Sequence, residues 1–157
     1  MKYYTGVGSR QTPQHILNIM TKLARKLDLA GWTLRSGGAI GADRAFEAGA
    51  MNKQIFFANQ ATAPAMEIAG RLHPAWHRCG EYARKLHGRN SFQVLGPDLQ
   101  TPSKFLVCWT PDGCESHSSR QFQTGGTGTA ISIASVSGIQ IFNLANRASL
   151  QRIMNWI

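Results

Sequence analysis

Acidic side chains are scarce in this chain. Eight Asp and Glu stand against seventeen Lys and Arg, giving a formal net charge of +9 at pH 7. A basic balance attracts polyanions. Eleven of the seventeen cations are Arg, whose planar fork suits bidentate phosphate contacts. The charges form no run, so they do not separate a mononucleotide from DNA. Cysteine is scarce too: Cys79, Cys108 and Cys114 are odd in number and irregularly spaced, which argues against a disulfide framework. No Cys/His spacing resembles a zinc site. His73 and His77 share an i,i+4 spacing, but Pro74 follows His73 and no carboxylate joins them, so no metal is expected. No apolar run is long enough to span a bilayer, and no signal peptide precedes the strand-like start Met1-Lys2-Tyr3-Tyr4. Two nucleotide motifs are missing as well. The Gly-x-x-x-x-Gly-Lys-Ser/Thr pattern does not occur, and no Gly-x-Gly-x-x-Gly follows the first strand, which argues against an NTPase and against a redox dinucleotide enzyme.

What the chain does have is glycine in three places of one kind. Gly6-Val7-Gly8-Ser9-Arg10, Ser36-Gly37-Gly38-Ala39-Ile40-Gly41-Ala42-Asp43 and Gly125-Gly126-Thr127-Gly128-Thr129 each fall between a strand-like and a helix-like segment. Such turns aim backbone N–H groups from the positive end of a helix, and without a Cβ they let a ligand come close. Together they suggest one phosphate-lined crevice.

At 157 residues the chain is expected to form one domain, 1–157, with a core of its own. Residues 2–7 read as a first strand. Thr12 is the expected N-cap and Pro13 the first residue of a helix with Ile16, Leu17, Met20, Leu23, Ala24 and Leu27 on one face. Gly31 stops it. A strand over Trp32–Arg35, a helix from Ala42 to Met51 and a strand over Gln54–Ala58 follow. Residues 59–102 are too long for a plain loop and read as an irregular helical insertion. It contains a helix over Pro64–Leu72, a second over Pro74–Leu86 ended by Gly88, and a short strand over Ser91–Leu95. Lys104–Thr110 is a continuous apolar strand of the kind buried on both faces. Residues 111–124 read as an exposed, mobile loop. The third glycine turn then opens a helix to Val136, Ile139–Leu144 is a last strand, and Arg147–Ile157 is a terminal helix. Alternating strands and helices give an α/β fold, a Rossmann-like open parallel sheet with helices on both faces.

In such a sheet, ligands bind beyond the carboxyl ends of the strands, where strand order reverses. The first and third turns meet there if the strands ending at Thr5 and Thr110 are neighbours. Gly125, Gly126, Thr127, Gly128 and Thr129 are then expected to cradle a phosphate, and Gly8, Ser9 and Arg10 a second anionic group or a ribose. For Gly37, Gly38 and Gly41, close backbone packing competes with ligand contact. Asp43 either accepts from a ribose hydroxyl or base, or serves as helix N-terminal charge. Arg10 and Arg44 stand beside glycine turns where they would clamp phosphate, and Arg120 would close over a ligand. Trp109 and Phe122 would stack on a base, with core packing the stronger reading for Trp109.

The opening Thr5-Gly-Val-Gly-Ser-Arg10, then Arg35-Ser-Gly-Gly-Ala-Ile-Gly-Ala-Asp43, resembles the start of the core of DprA (Smf), a DNA recombination mediator. The third turn is similar to the Gly-Gly-x-Gly-Thr loop of LOG-type nucleotide-processing proteins. Both belong to the SLOG superfamily. With Arg89-Asn90, Gln93-Val-Leu-Gly96 and Cys108-Trp-Thr-Pro-Asp-Gly113 added, the chain resembles the small DprA-like SLOG proteins of phages, over roughly residues 1–58 and 89–145. The resemblance implies a Rossmann-like fold and a nucleotide site in which Arg89, Asn90, Trp109 and Arg120 act as lid or base contacts. It implies self-association into a homo-oligomer; without a visible signal peptide the default expectation is a cytoplasmic protein, in the host cytoplasm if phage-encoded. The leading expectation is a binder of a phosphate-bearing nucleotide or nucleotide-derived signal, with no cofactor, which in a phage setting would sequester an immune signal. The alternatives are a DprA-like single-stranded DNA-binding module and a nucleotide hydrolase or N-glycosidase. LOG-type hydrolases carry a catalytic Glu just after the third turn, where this chain has Ala130 and Ile131. Asp43, Glu47 and Asp112 are the acid/base candidates that remain, with surface charge the stronger reading for Glu47.

Overall fold

The computed structural model describes residues 1–157. Five strands form one all-parallel sheet: β1 (Lys2–Gly6), β2 (Trp32–Ser36), β3 (Lys53–Ile55), β4 (Phe105–Cys108) and β5 (Gln140–Asn143). Their order is β3-β2-β1-β4-β5. The helices are α1 (Gln14–Leu29), α2 (Ala42–Gly49), α3 (Ala63–Leu72), α4 (Glu81–Leu95), α5 (Thr127–Val136) and α6 (Arg147–Trp156). This is the expected Rossmann-like architecture. Order reverses between β1 and β4, which pair directly through Thr5 with Leu106 and Gly6 with Val107. The neighbours that the crevice requires are therefore in place.

Both sheet faces are covered, and β4 is apolar on both of its faces. On one side α1 brings Ile16, Met20, Leu23 and Leu27 down onto Tyr4 and Leu34, with Phe46 of α2 and Ile153 of α6 beside them. On the other, Ile131 and Ile133 of α5 and Val94 of α4 pack on Leu106 and Cys108. Leu106, Val107 and Cys108 are wholly enclosed, as the apolar run predicts. No helix is long and apolar enough to cross a membrane.

The differences from expectation have local causes. Thr12 does not cap α1. Its hydroxyl donates to Ser9 O at 2.6 Å, closing the first glycine turn, and Pro13 takes the cap position. β3 ends at Ile55, three residues short of the expected Ala58. Gly88 does not end a helix, and Ser91–Leu95 is not a strand. Both lie within α4, which runs unbroken to Leu95. A glycine in mid-helix costs about 1 kcal/mol of propensity. Here it lets α3 in: a Cβ on Gly88 would lie 2.6 Å from Met66 Cγ. Residues 111–124 are tied down rather than free. The Asn143 amide donates to Thr110 Oγ1 at 2.7 Å and Cys114 O at 2.9 Å. Glu115 accepts from Asn143 N and Ser149 Oγ, and Cys114 is buried.

α1 and α2 pack backbone to backbone at Gly49. A Cβ on Gly49 would lie inside contact distance of Thr21 O and 2.9 Å from Arg25 N, so the obstruction is backbone and cannot rotate away. Gly49→Ala is expected to destabilise by about 1–3 kcal/mol. Gly80→Ala meets nothing within 4 Å and should stay within about 0.5 kcal/mol. Urea unfolding of both variants checks this, and equal stabilities would contradict the packing.

Candidate functional site

A crevice of about 650 Å³ opens at the carboxyl ends of the strands. Its walls are the first glycine turn (Gly8 to Gln11), the start of α2 (Ala39, Asp43), one face of α4 (Ala83 to Gln93) and the third turn (Phe122 to Thr127). The first and third turns thus face one space, as required if a single ligand is to touch both.

Backbone donors remain unpaired on both walls. Ser9 N–H is engaged by Trp109 O, and Gly128 and Thr129 N–H by the carbonyls of Gly125 and Gly126. The N–H groups of Arg10, Gly126 and Thr127 have no partner within the protein. Two of these sit at the N-terminus of α5, where orphan donors and the helix dipole favour an anion. Gly125 adopts φ +73°, and a Cβ there or at Gly126 would meet open space. The turn is therefore open on its crevice side.

Asp43 is buried beneath this space. Its carboxylate accepts from Ala39 N–H at 3.2 Å, and the N–H groups of Gly37 and Gly8 also favour its charged form, so it links the first two turns. Burial pushes its pKa up to about 6, although the Arg89 guanidinium and those N–H groups pull it down. Arg89 donates to Gly37 O at 2.8 Å and Phe56 O at 3.1 Å. Arg89 Nε and Gln93 Oε1 are buried without partners, and both residues line the crevice. Asn90 Nδ2 donates to Gly126 O at 3.4 Å, linking α4 to the third turn.

Other expected residues stand elsewhere. Gly37 and Gly38 do not line the crevice. A Cβ on Gly37 would strike Gln93 Nε2 at 2.5 Å, so this turn packs against α4. Gly128 is closed off by Arg120 in the same way. The Thr129 hydroxyl is turned from the crevice toward His87 Nδ1 (2.8 Å) and Arg120 (3.0 Å). Arg120 is thereby held on α5, donating also to Ser132 Oγ and Leu72 O. Arg44 is exposed, outside the crevice. Trp109 packs against the α1 side of the core, whereas Phe122 stands at the rim, 99% exposed. Glu47 pairs with Lys53 on the surface at 3.1 Å. Asp112 accepts from the hydroxyls of Thr110 and Thr124, fixing the approach to the third turn. Burial pushes its pKa up, but these donors outweigh that and leave it below the usual carboxylate value.

Sequence reasoning missed His87 as a lining residue and quoted Gln93 only as part of a family motif. Ala83, Leu86, His87, Asn90 and Gln93 recur at helical spacing along α4. That signal is invisible once Gly88 is taken as a helix end.

Residues 1–62 match the family described as DNA recombination-mediator protein A. That similarity takes in β1 through β3 and the first two turns, and it supports the DprA-like reading of this part of the chain. It stops before α4 and the third turn. No curated protein and no solved structure matches the chain.

Buried Asp43 and half-buried His87 set opposite pH dependences. Asp43 keeps a proton up to about pH 6 that the unfolded chain releases near its ordinary 3.8. Its contribution to stability therefore falls as pH rises through that window. His87 is pushed down to about 4, first by burial and then by the positive charge of His73, Arg120 and Arg89. There the unfolded chain holds the extra proton, so stability rises between about pH 4 and 6.5. Relative to wild type, Asp43→Asn should gain stability as pH rises from about 4 to 6, on the order of 2 kcal/mol. His87→Gln should lose it. Thermal melts across the window decide this, and differences that stay constant with pH would contradict both assignments.

Proposed function

We propose that the crevice binds a phosphate-bearing nucleotide or nucleotide-derived molecule and holds it without cutting it. The observation that carries this reading is the pair of facing walls with unpaired backbone donors, Arg10 on one side and Gly126 and Thr127 on the other. Phosphate oxygens satisfy such donors at a helix N-terminus. Arg10 adds a guanidinium, Gln93 Oε1 an acceptor for a base or ribose donor, and the Phe122 ring a stacking surface at the rim.

The same walls supply little for hydrolysis. Asp43 is the one carboxylate lining the crevice, and it is buried and already accepts from Ala39 N–H. Ala130 lines the crevice where LOG-type enzymes carry their Glu. His87 is neutral near pH 7 and a weak base, for the reasons given above.

Nucleotides carrying phosphate are expected to raise the melting temperature. Gly126→Asp tests the site without harming the turn: a Cβ there is free, and a carboxylate at a helix N-terminus stabilises by about 0.3–1 kcal/mol. The variant should melt no lower than wild type yet lose the ligand-induced shift. A panel of mono-, cyclic and ADP-ribose-type nucleotides that shifts neither protein would overturn the proposal, and chromatography of the incubated nucleotides would reveal turnover.

The match of residues 1–62 favours a second reading, a module that binds single-stranded DNA through the first turn. The +9 charge agrees with it. It predicts oligonucleotide binding that weakens with salt at a log–log slope of about −0.7 per phosphate contacted. Arg10→Ala should remove roughly one such unit. Oligonucleotide binding that is absent even at low salt removes this reading and leaves the first untouched.

A further inference from the structure

One cluster of soft ligands is assembled by the fold from residues distant in type and spacing. His73 follows the last turn of α3, Cys79 precedes α4, and His87 lies two turns into α4. Their ligand atoms all lie within 4.8 Å of one another. Cys79 Sγ is 3.8 Å from His73 Nε2 and 4.0 Å from Nδ1. The two imidazole rings are 4.4 Å apart at 68°. A tetrahedral cation with metal–sulfur bonds of about 2.3 Å and metal–nitrogen bonds of about 2.0–2.1 Å sets its ligands roughly 3.3–3.6 Å apart. The cluster is close to that size already. His77, the i,i+4 neighbour of His73, is not part of it.

We propose that His73, Cys79 and His87 bind one zinc-class divalent cation, with water in the fourth position. One thiolate and two imidazoles, with no carboxylate among them, select zinc-class ions over magnesium or calcium. His87 already has the outer contact typical of a metal-ligating histidine. With Nδ1–H donating to Thr129 Oγ1 at 2.8 Å, its Nε2 keeps a lone pair. Cys79 releases its thiol proton to solvent as the metal–sulfur bond forms. His73 must exchange a contact, because Ala75 N–H now meets its Nδ1 at 3.0 Å. Binding therefore rearranges residues 74–78 locally and pins them to α4. The cation sits behind a wall of the crevice, and the assignment holds whatever fills that crevice.

The test uses the full chain freed of metal by chelation. Titration with Co²⁺ should produce a thiolate-to-metal charge-transfer band and tetrahedral visible bands, saturating at one cation per chain and displaced by Zn²⁺. Cys79→Ser should abolish the charge-transfer band. Thr129→Val, which keeps side-chain shape but removes the acceptor for His87, should weaken binding by about 10–100-fold. His77→Ala should change nothing. A measurement on wild type alone guards against misfolded variants: Zn²⁺ should protect Cys79 from alkylation, read by peptide mapping. No band at equimolar Co²⁺, a band that survives Cys79→Ser, or Cys79 alkylated equally with and without Zn²⁺ would each overturn the proposal.

Discussion

The carboxylate of Asp43 is the constraint on which the upper edge of this molecule depends. Arg35 and Asp43 are the two charged side chains that are buried, and a buried charge persists only where other groups replace water. Asp43 draws in N–H groups from the turn after β1 and the turn after β2. Arg89 approaches it from α4 while donating to the carbonyls of Gly37 and Phe56. Four parts of the chain thus converge on one side chain. The compensation is incomplete, as its raised pKa records. The edge that forms the crevice is therefore held together by a carboxylate that takes up a proton below about pH 6.

Arg35 does the corresponding work lower in the sheet. Its guanidinium donates to Gln54 Oε1, Thr101 O and Ser103 Oγ and lies over the Tyr3 ring at 3.9 Å. It thereby fastens β2 to β3 and to the segment that leads into β4. None of its partners is a carboxylate. Burial consequently pushes its pKa down, and neutral hydrogen bonds with a π face stand in for water. The chain uses few acids on its surface and almost none inside, so its one buried cation, Arg35, is satisfied by a carbonyl, an amide and a hydroxyl.

The sheet was legible in the sequence because its signals are local. An apolar run such as Phe105–Cys108, an amphipathic helix such as α1 and a glycine turn between them each announce themselves within ten residues or so. α4 was not legible for the opposite reason. Gly88 reads locally as a terminator, and only the distant Met66 explains why it is tolerated in mid-helix. That one misreading hid the periodic face from Ala83 to Gln93 that lines the crevice. It hid the grouping of His73, Cys79 and His87 too, since His87 stands beside the other two only when α4 packs back against the end of α3. Within the third turn the sequence could not tell that Gly126 and Thr127 face the crevice while Gly128 and Thr129 face Arg120. Residues one helical step apart point different ways, and the pattern Gly-Gly-Thr-Gly-Thr carries no mark of which is which.

α4 therefore separates two kinds of chemistry. Toward the sheet edge it offers Arg89, Asn90 and Gln93, hard oxygen and nitrogen groups suited to a phosphate-bearing ligand. At its start it meets sulfur and imidazole, suited to a softer cation. His87 touches both, since it lines the crevice and also contacts Thr129 on α5. A cation on His87 would fix its ring and add positive charge behind the crevice wall. An anion in the crevice would be drawn toward that charge. The two sites would then favour each other's occupation, each raising the other's affinity by the same factor. Asp43 opposes this with its negative charge when ionised and withdraws the opposition when protonated. The balance of charge around α4, rather than any single glycine turn, would set how tightly the crevice holds an anion.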